Sequence, residues 1–181
     1  MLIAFEWNWF SLMHWDWLND QLRHLLNPLY HTAIGEFTRN SRWAWPTLES
    51  LHFIGLSLLI GTIGMFDLRL LGFARAVPIG ALHRQIPVGN GGFHVNNTTG
   101  ICFICATPDQ YLFNAAFRWK VVFIVIAGLN VMFFYTRIFR RLEAMSENTP
   151  PPLAARIAGG VSLGAWIGVM SAGRLLTFFR P

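Results

Sequence analysis

The chain has 181 residues, of which 54% are hydrophobic and only 13% charged, and its formal net charge is +5. Soluble domains carry about 25% charged residues, so this composition indicates a single domain embedded in a membrane. The arginines occur mostly at the ends of apolar segments and form no basic stripe, which argues against nucleic acid as a partner.

Residues 1–45 are a Trp-rich segment that precedes the apolar part of the chain. Between Trp9 and Leu26 large apolar residues recur at steps of three and four, with charged residues between them. This pattern predicts an amphipathic helix that lies in the membrane interface and ends near Pro28. A helix that docks on a partner protein has the same pattern, so both interpretations stay open.

Four transmembrane helices are predicted within residues 46–181, at about 46–70, 86–107, 120–137 and 155–179. A span needs about 20 mostly apolar residues. The second segment begins with the polar stretch GNGGFHVNNTTG (89–100) and continues into ICFICA. We expect this stretch to be half of a helix whose Asn96 and Thr99 side chains hydrogen-bond to neighbouring helices. The predicted fold is an all-α integral membrane four-helix bundle with an N-terminal interfacial helix.

The last predicted span carries small residues at every fourth position, namely Gly160, Gly164, Gly168 and Ala172. Small residues on one face let helix backbones approach closely, so the stripe predicts a packing seam. The arginine group at 137–141 favours a cytoplasmic location for the first and third loops. Both termini would then lie outside the cytoplasm.

His52 is the most informative ionisable residue in the predicted spans. Glu49 lies one turn before it and Gly55 one turn after it. Neutral imidazole is a common ligand of haem iron and of transition metals, and a small neighbour would leave room for a flat macrocycle. An interfacial histidine hydrogen-bonded to Glu49 or to a neighbouring helix is the alternative.

His94 and His31 are the candidates for a second ligand beside His52. At about 1.5 Å of rise per residue, His52 and His94 miss each other by about 10 Å across a core of about 30 Å. This depth difference weakens a pair between them. His31, like His14 and His24, belongs to the N-terminal segment on the His52 side, where each is otherwise expected to be a surface histidine.

A second possible metal site lies on the 86–107 segment. His94, Cys102 and Cys105 share one face of a helix, and thiol and imidazole ligands suit copper or zinc. Two small buried residues in a packed helix would give the same C-x-x-C spacing.

Charges also stand near the ends of two spans. Asp67 and Arg69 lie at the far end of the first span, and Arg174 lies near the end of the last. Such charges usually extend to the interface or form pairs. A cofactor carboxylate or an anionic lipid headgroup is the alternative partner. The sequence has no phosphate-binding glycine loop, nucleophile elbow or zinc-protease motif.

Several stretches carry a family resemblance over residues 43–180. They are WPTLESLHFIGLSLLIGTIGMFDLRLLG, PDQYLFNAAFRWK, GLN around Asn130, and SLGAWIGVMSAGR. They resemble a family of small four-helix bacterial inner-membrane proteins of unknown function and, more distantly, copper-resistance D-type proteins and b-type cytochrome bundles. The resemblance implies the four-helix fold and a prominent His52. Gly92, Phe93, Asn96, Thr99 and Gly100 follow the family pattern, whereas His94 and Asn97 depart from it.

These observations predict a haem-b-binding subunit of the bacterial inner membrane that transfers electrons between quinone and a partner redox protein. His52 would be an axial ligand, with His31 or another N-terminal histidine, or His94, as the second. Membrane lipid and other membrane or periplasmic subunits are the expected partners. The alternatives are a copper-handling membrane protein that uses His94, Cys102 and Cys105, and a structural subunit of a larger membrane complex. Whether the protein is an enzyme stays open.

Overall fold

The computed structural model describes residues 28–74, 76–143 and 150–178, and all regular elements within these ranges are helical. The helices are α1 (Ala33–Asn40), α2 (Ala44–Leu71), α3 (Ile79–His83), α4 (Ile86–Ala106), α5 (Pro108–Leu112), α6 (Ala115–Phe133), α7 (Phe139–Glu143) and α8 (Leu153–Leu175). A π-helical turn, Phe134–Ile138, joins α6 to α7.

Three helices are long and apolar enough to cross a membrane: α2, the continuous helix Ala115–Leu142, and α8. Many of their large apolar side chains are exposed, among them Phe53, Leu129 and Ile167. Exposed apolar surface on this scale is expected where lipid replaces water as the solvent. The chain therefore has the helices of a membrane protein. The helix α4 is also 21 residues long, but its first half is polar.

The packing order of the long helices leaves a cleft between two of them. The helix α2 packs against α4 on one side and α8 on the other, and α8 packs against α6. No comparable contact joins α4 to α6 in the described residues. At mid-height a cluster around Leu59, Ala165 and Trp166 fills the interior, with Phe93 of α4 reaching Trp166 at 6.4 Å between ring centroids. This cluster separates the two ends of the bundle.

Glycines set the distance between α2 and α4. A Cβ atom on Gly92 would lie 2.5 Å from the carbonyl oxygen of Gly55 and 2.9 Å from the backbone nitrogen of Leu59. Such close backbone approach requires glycine at this crossing. The polar stretch 89–100 is helical, as predicted, and its Gly89 and Gly92 face α2.

The seam predicted on the last span forms only in part. A Cβ on Gly164 would meet nothing within 4 Å, and one on Gly160 would touch only the Leu71 side chain. A Cβ on Gly168, in contrast, would lie 2.8 Å from the Phe123 ring, and Ala172 is buried. The close approach to α2 lies beside the stripe, where a Cβ on Gly159 would be 3.0 Å from the Asp67 carbonyl oxygen. The buried face of α8 is rotated from the predicted stripe because α2 and α6 contact it from two directions.

The amphipathic helix predicted before Pro28 lies outside the described residues. Within the described residues, the first helix, α1, packs against the C-terminal end of α4. Arg39 donates from Nη1 to the Ala106 carbonyl at 3.0 Å and to the Cys105 carbonyl at 3.3 Å, and from Nη2 to the Tyr30 carbonyl at 2.7 Å. The last carbonyls of a helix lack partners within the helix. Arg39 satisfies two of them and fixes α1 on α4.

Candidate functional site

The candidate site lies where the N-terminal third of α2 meets the C-terminal half of α4. His52 is partly buried there, and its Nδ1 lies 2.7 Å from the Thr99 hydroxyl. Asn96 donates from Nδ2 to the His52 carbonyl at 3.1 Å. These two contacts confirm that Asn96 and Thr99 bond to a neighbouring helix. They also fix both the backbone and the ring of His52 against α4.

The Thr99 hydroxyl indicates which nitrogen of His52 carries the proton. Its oxygen lies 2.8 Å from the Val95 carbonyl and 3.0 Å from the Asn96 carbonyl. Carbonyl oxygens only accept, so these contacts use the single hydroxyl proton of Thr99. The Thr99 oxygen then accepts from His52 Nδ1–H. The lone pair of this imidazole is consequently on Nε2, the arrangement in which a histidine can bind a metal.

Aromatic and cationic groups surround the His52 ring. Phe103 meets it edge to face at 5.8 Å between centroids, and Trp45 in turn lies 4.9 Å from Phe103. Lys120, on the second turn of α6, is near enough to act electrostatically on the ring. A Cβ on Gly100 would be 3.8 Å from His52 Cε1, its only neighbour within 4 Å. The ring thus has an apolar side, a nearby positive charge and space beside Gly100.

Glu49 does not orient His52. It is exposed, and the Nδ1 atom that it would have bonded is taken by Thr99. Its carboxylate acts instead on Tyr111 in α5. Burial and the Glu49 charge together raise the pKa of the Tyr111 hydroxyl, which therefore remains a proton donor at neutral pH.

His94 lies on the outer face of α4 and is exposed. Each helical residue turns about 100°, so His94 points about 200° away from Gly92, which faces α2. The structure therefore does not bring His94 to the His52 ring. Its nearest aromatic neighbour is Phe93, at 6.1 Å between ring centroids.

His31 is exposed at the His52 end of the bundle, with its ring 5.4 Å from that of Tyr30. His14 and His24 lie outside the described residues. Arg174 is exposed near the end of α8. This end of α8 is held beside the start of α6, because Asn114 donates from Nδ2 to the Leu176 carbonyl at 3.0 Å. Arg174 therefore belongs to the same end of the molecule as His52.

Cys102 and Cys105 are free thiols, the first partly buried and the second buried. Among the described residues no group of three or more His, Cys, Asp or Glu side chains is placed to hold a metal ion. Cys105 lies under α1, since a Cβ on Gly35 would come within 2.5 Å of its carbonyl oxygen. This close contact with the backbone of residue 105 requires glycine at position 35.

Asp67 and Arg69 were expected to extend to the interface or to form pairs, and the first arrangement is wrong for both. Asp67 is 3% exposed and Arg69 2% exposed. Arg69 donates from Nε to the Val77 carbonyl at 2.8 Å, and Asp67 lies near Ser162 of α8. Asp67 was not among the predicted site residues. The feature that could have identified Asp67 as a site residue is its position, since it lies more than one helical turn before the end of α2 at Leu71.

Comparison of the chain with models of known protein families, with curated proteins and with solved structures finds no match to any of them. The geometry of the chain itself is therefore the basis for a functional assignment.

Proposed function

We propose that the protein is a haem-b-binding subunit of the bacterial inner membrane that transfers electrons between quinone and a partner redox protein. One observation supports this most directly. Thr99 holds His52 through Nδ1, which leaves Nε2 free as an axial ligand. A metal-binding histidine is usually oriented in this way by a hydrogen bond from its other nitrogen.

The surroundings of His52 also fit a haem. Bound haem would supply one-electron transfer. Phe103 offers an apolar surface to a macrocycle, Gly100 leaves space beside the ring, and Lys120 is a nearby cation for a propionate group. The second axial ligand would come from the N-terminal part of the chain, with His31, His14 and His24 as candidates on that side.

We propose further that α4 crosses the membrane as a fourth span. At about 1.5 Å per residue it is about 31 Å long, enough for the hydrocarbon core. Contacts run along α2 in antiparallel order, from Trp45 with Phe103 to Gly55 with Gly92. Since α2 is long and apolar enough to span, a helix packed along it enters the same layer. Its Asn96 and Thr99 side chains are satisfied by α2 or by α4 itself.

The N-terminal part is proposed to contact membrane lipid and a partner subunit. On α1 and just after it, Ile34, Phe37 and Trp43 are exposed by 54%, 65% and 75%. Large apolar side chains beside the end of a membrane bundle suit the interfacial region, where tryptophan is enriched.

Haem binding is tested on the full chain expressed with added haem precursor and purified in mild detergent. The wild type should show a Soret band and a pyridine haemochrome spectrum of haem b. His52→Ala should lose both. His94→Ala is the matched control, because it removes an exposed imidazole from the other face of α4, and it should retain both. A wild type without either signal, or loss in His94→Ala alone, contradicts the proposal.

A further inference from the structure

A second cavity lies at the end of the bundle opposite His52. Its volume is about 210 Å³, and all four long helices contribute to its walls. On the interior side it is lined by Asp67 and Ser162. On the outer side it is lined by Asn90, which is exposed, and by Val131, which is 41% exposed. The outer residues belong to α4 and α6, which do not pack on each other, so the cavity is reached through the cleft between them.

Asp67 determines which chemical group a ligand of this cavity must carry. Its side chain is 3% exposed and lines the cavity, as does Ser162 on α8. The Oδ2 atom is buried and has no hydrogen-bond partner. A buried acceptor without a donor costs free energy that a bound O–H or N–H group would recover. The cavity therefore lacks one donor at a defined atom.

The walls of the cavity select a flat, apolar ligand. Phe66 and Phe134 meet edge to face at 5.7 Å between centroids, and Tyr135 lies beside them. A cavity of about 150 Å³ lined by apolar side chains is large enough to bind benzene. The volume here is larger, so a single substituted ring fits it.

The positive charge at this end of the bundle indicates whether the ligand donates to Asp67 from a hydroxyl group or from an ammonium group. Arginines surround it at the starts and ends of the helices, and they are Arg84, Arg137, Arg140, Arg141 and Arg156. Their positive potential opposes an organic ammonium ion. A neutral hydroxyl group meets the requirement of Asp67 without this repulsion.

We propose that this cavity binds a hydroxylated aromatic ring, whose O–H donates to Asp67 Oδ2. The ring could be the head group of a membrane quinol or a free small phenol. Asn90, at the outer side, is an amide that could bond to a substituent on the far edge of the ring. Asn130 already donates from Nδ2 to the Ala158 carbonyl at 3.0 Å, so only its Oδ1 is left to accept from the ring. A role of this cavity in supplying electrons rests on the proposed function. Binding of the ring to the cavity does not rest on it.

Binding is measured by anaerobic isothermal titration calorimetry on the purified, haem-free full chain in detergent. Three probes are used: decylubiquinol, the same hydroquinone without its tail, and decylubiquinone. The quinol and the quinone differ in whether the ring carries a hydroxyl donor, and the tailed and tailless quinols distinguish a membrane ligand from a free one. The wild type should bind decylubiquinol at least tenfold more tightly than decylubiquinone, whose carbonyls cannot donate to Asp67. Tight binding of the tailless ring indicates a free phenol, and binding only of the tailed ring indicates a membrane quinol. Either result supports the site.

Asp67→Asn tests the assigned atom. Asparagine keeps the size and shape of the side chain, and its Nδ2 can donate into the cavity, so the preference should reverse toward decylubiquinone. Asp109→Asn is the matched control, since Asp109 is exposed on α5 at the other end, and it should keep the wild-type preference. If Asp67→Asn does not fold, Val131→Trp decides, because this exposed substitution blocks the entrance and should lower affinity at least tenfold.

No binding of any ring to the wild type overturns the inference. So does an unchanged preference in folded Asp67→Asn, or tighter binding of an alkylammonium ion than of decylubiquinol. Because the titration uses haem-free protein, its failure is separate from a failure to bind haem. The converse control is His52→Ala. This variant should lose haem and still bind the ring, so loss of haem binding does not imply loss of ring binding.

Discussion

At the scale of single residues, the relation between His52 and Thr99 carries the functional argument. A histidine in a membrane helix is costly unless its polar atoms find partners. His52 receives one partner at Nδ1 from α4, at 2.7 Å, and no bond at Nε2 is observed in the described residues. This orientation through Nδ1 leaves the lone pair on Nε2, the atom that the proposed haem would use.

Replacing Thr99 with valine is the most specific test of this relation. Valine keeps the shape of the side chain but removes the oxygen that accepts from Nδ1. We expect haem affinity to fall by about 10- to 100-fold, the usual effect of losing the partner of a metal-binding histidine. Haem titration followed at the Soret band measures this. Thr98→Val, on the exposed face of the same helix, should titrate like the wild type. Equal affinities in the two variants would remove Thr99 from the site.

Arg39 is the residue that attaches α1 to α4. It makes three hydrogen bonds to carbonyl oxygens, and its guanidinium lies 3.7 Å from the centre of the Tyr30 ring. Hydrogen bonds from charged groups contribute about 1.5–3 kcal/mol. Arg39→Ala should therefore speed amide hydrogen exchange in α1 by about tenfold or more, since about 1.4 kcal/mol corresponds to a factor of ten. Exposed Arg42→Ala should leave the exchange rates within about twofold. The same rates in both variants would show that α1 is held by other contacts.

At the scale of elements, the sequence carried enough information for the long helices but not for how they face each other. The polar stretch 89–100 could be predicted as helical because a buried backbone must satisfy its own polar groups. The start of α6 could not, because it depends on Asn114 accepting from the Ala116 nitrogen at 2.9 Å. Arg118 and Lys120 suggested a later start.

The same limit applies to the sites. His52 could be singled out as an ionisable residue within a span, and Thr99 as a partner on the next helix. The burial of Asp67 could not be predicted, since it depends on the close approach of α8 at Gly159, which lies 92 positions later in the chain. The stripe at 160, 164, 168 and 172 likewise marked a face of α8. It did not specify which neighbour that face meets.

The crossing of α2 and α4 provides a matched pair of glycines. Gly92→Ala places a methyl group against the Gly55 carbonyl and the Leu59 nitrogen, and neither backbone atom can move aside. We expect a loss of about 1–3 kcal/mol in the free energy of unfolding, typical of overpacking. Gly91→Ala meets nothing within 4 Å and should be neutral or stabilising by up to about 1 kcal/mol, because alanine favours helix. Equilibrium unfolding in mixed detergent compares the two. An equally stable Gly92→Ala would mean that the helices are not this close.

At the scale of the whole molecule, the two ends of the bundle are chemically different. The His52 end has an imidazole with one bonded nitrogen, an aromatic cluster and the attachment of α1. The Asp67 end has a buried carboxylate, a cavity of about 210 Å³ and most of the arginines of the loops. The cluster around Trp166 lies between them. A path for electrons from one end to the other requires that both ends belong to one bundle crossing one membrane, so the number of spans decides whether the proposed function is coherent.

Labelling of single cysteines determines that number. In a Cys102→Ser, Cys105→Ser background, one cysteine is introduced at Ala81, Asp109 or Pro150, all exposed positions between the long helices. If α4 spans the membrane, Ala81→Cys and Pro150→Cys lie on one side and Asp109→Cys on the other. A membrane-impermeant maleimide applied to spheroplasts should then label only Asp109→Cys, because the arginine group at 137–141 predicts that the first and third loops are cytoplasmic. All three should react after permeabilisation. If instead Ala81→Cys and Asp109→Cys share one side, α4 does not cross, and the four-span bundle with its two ends is wrong.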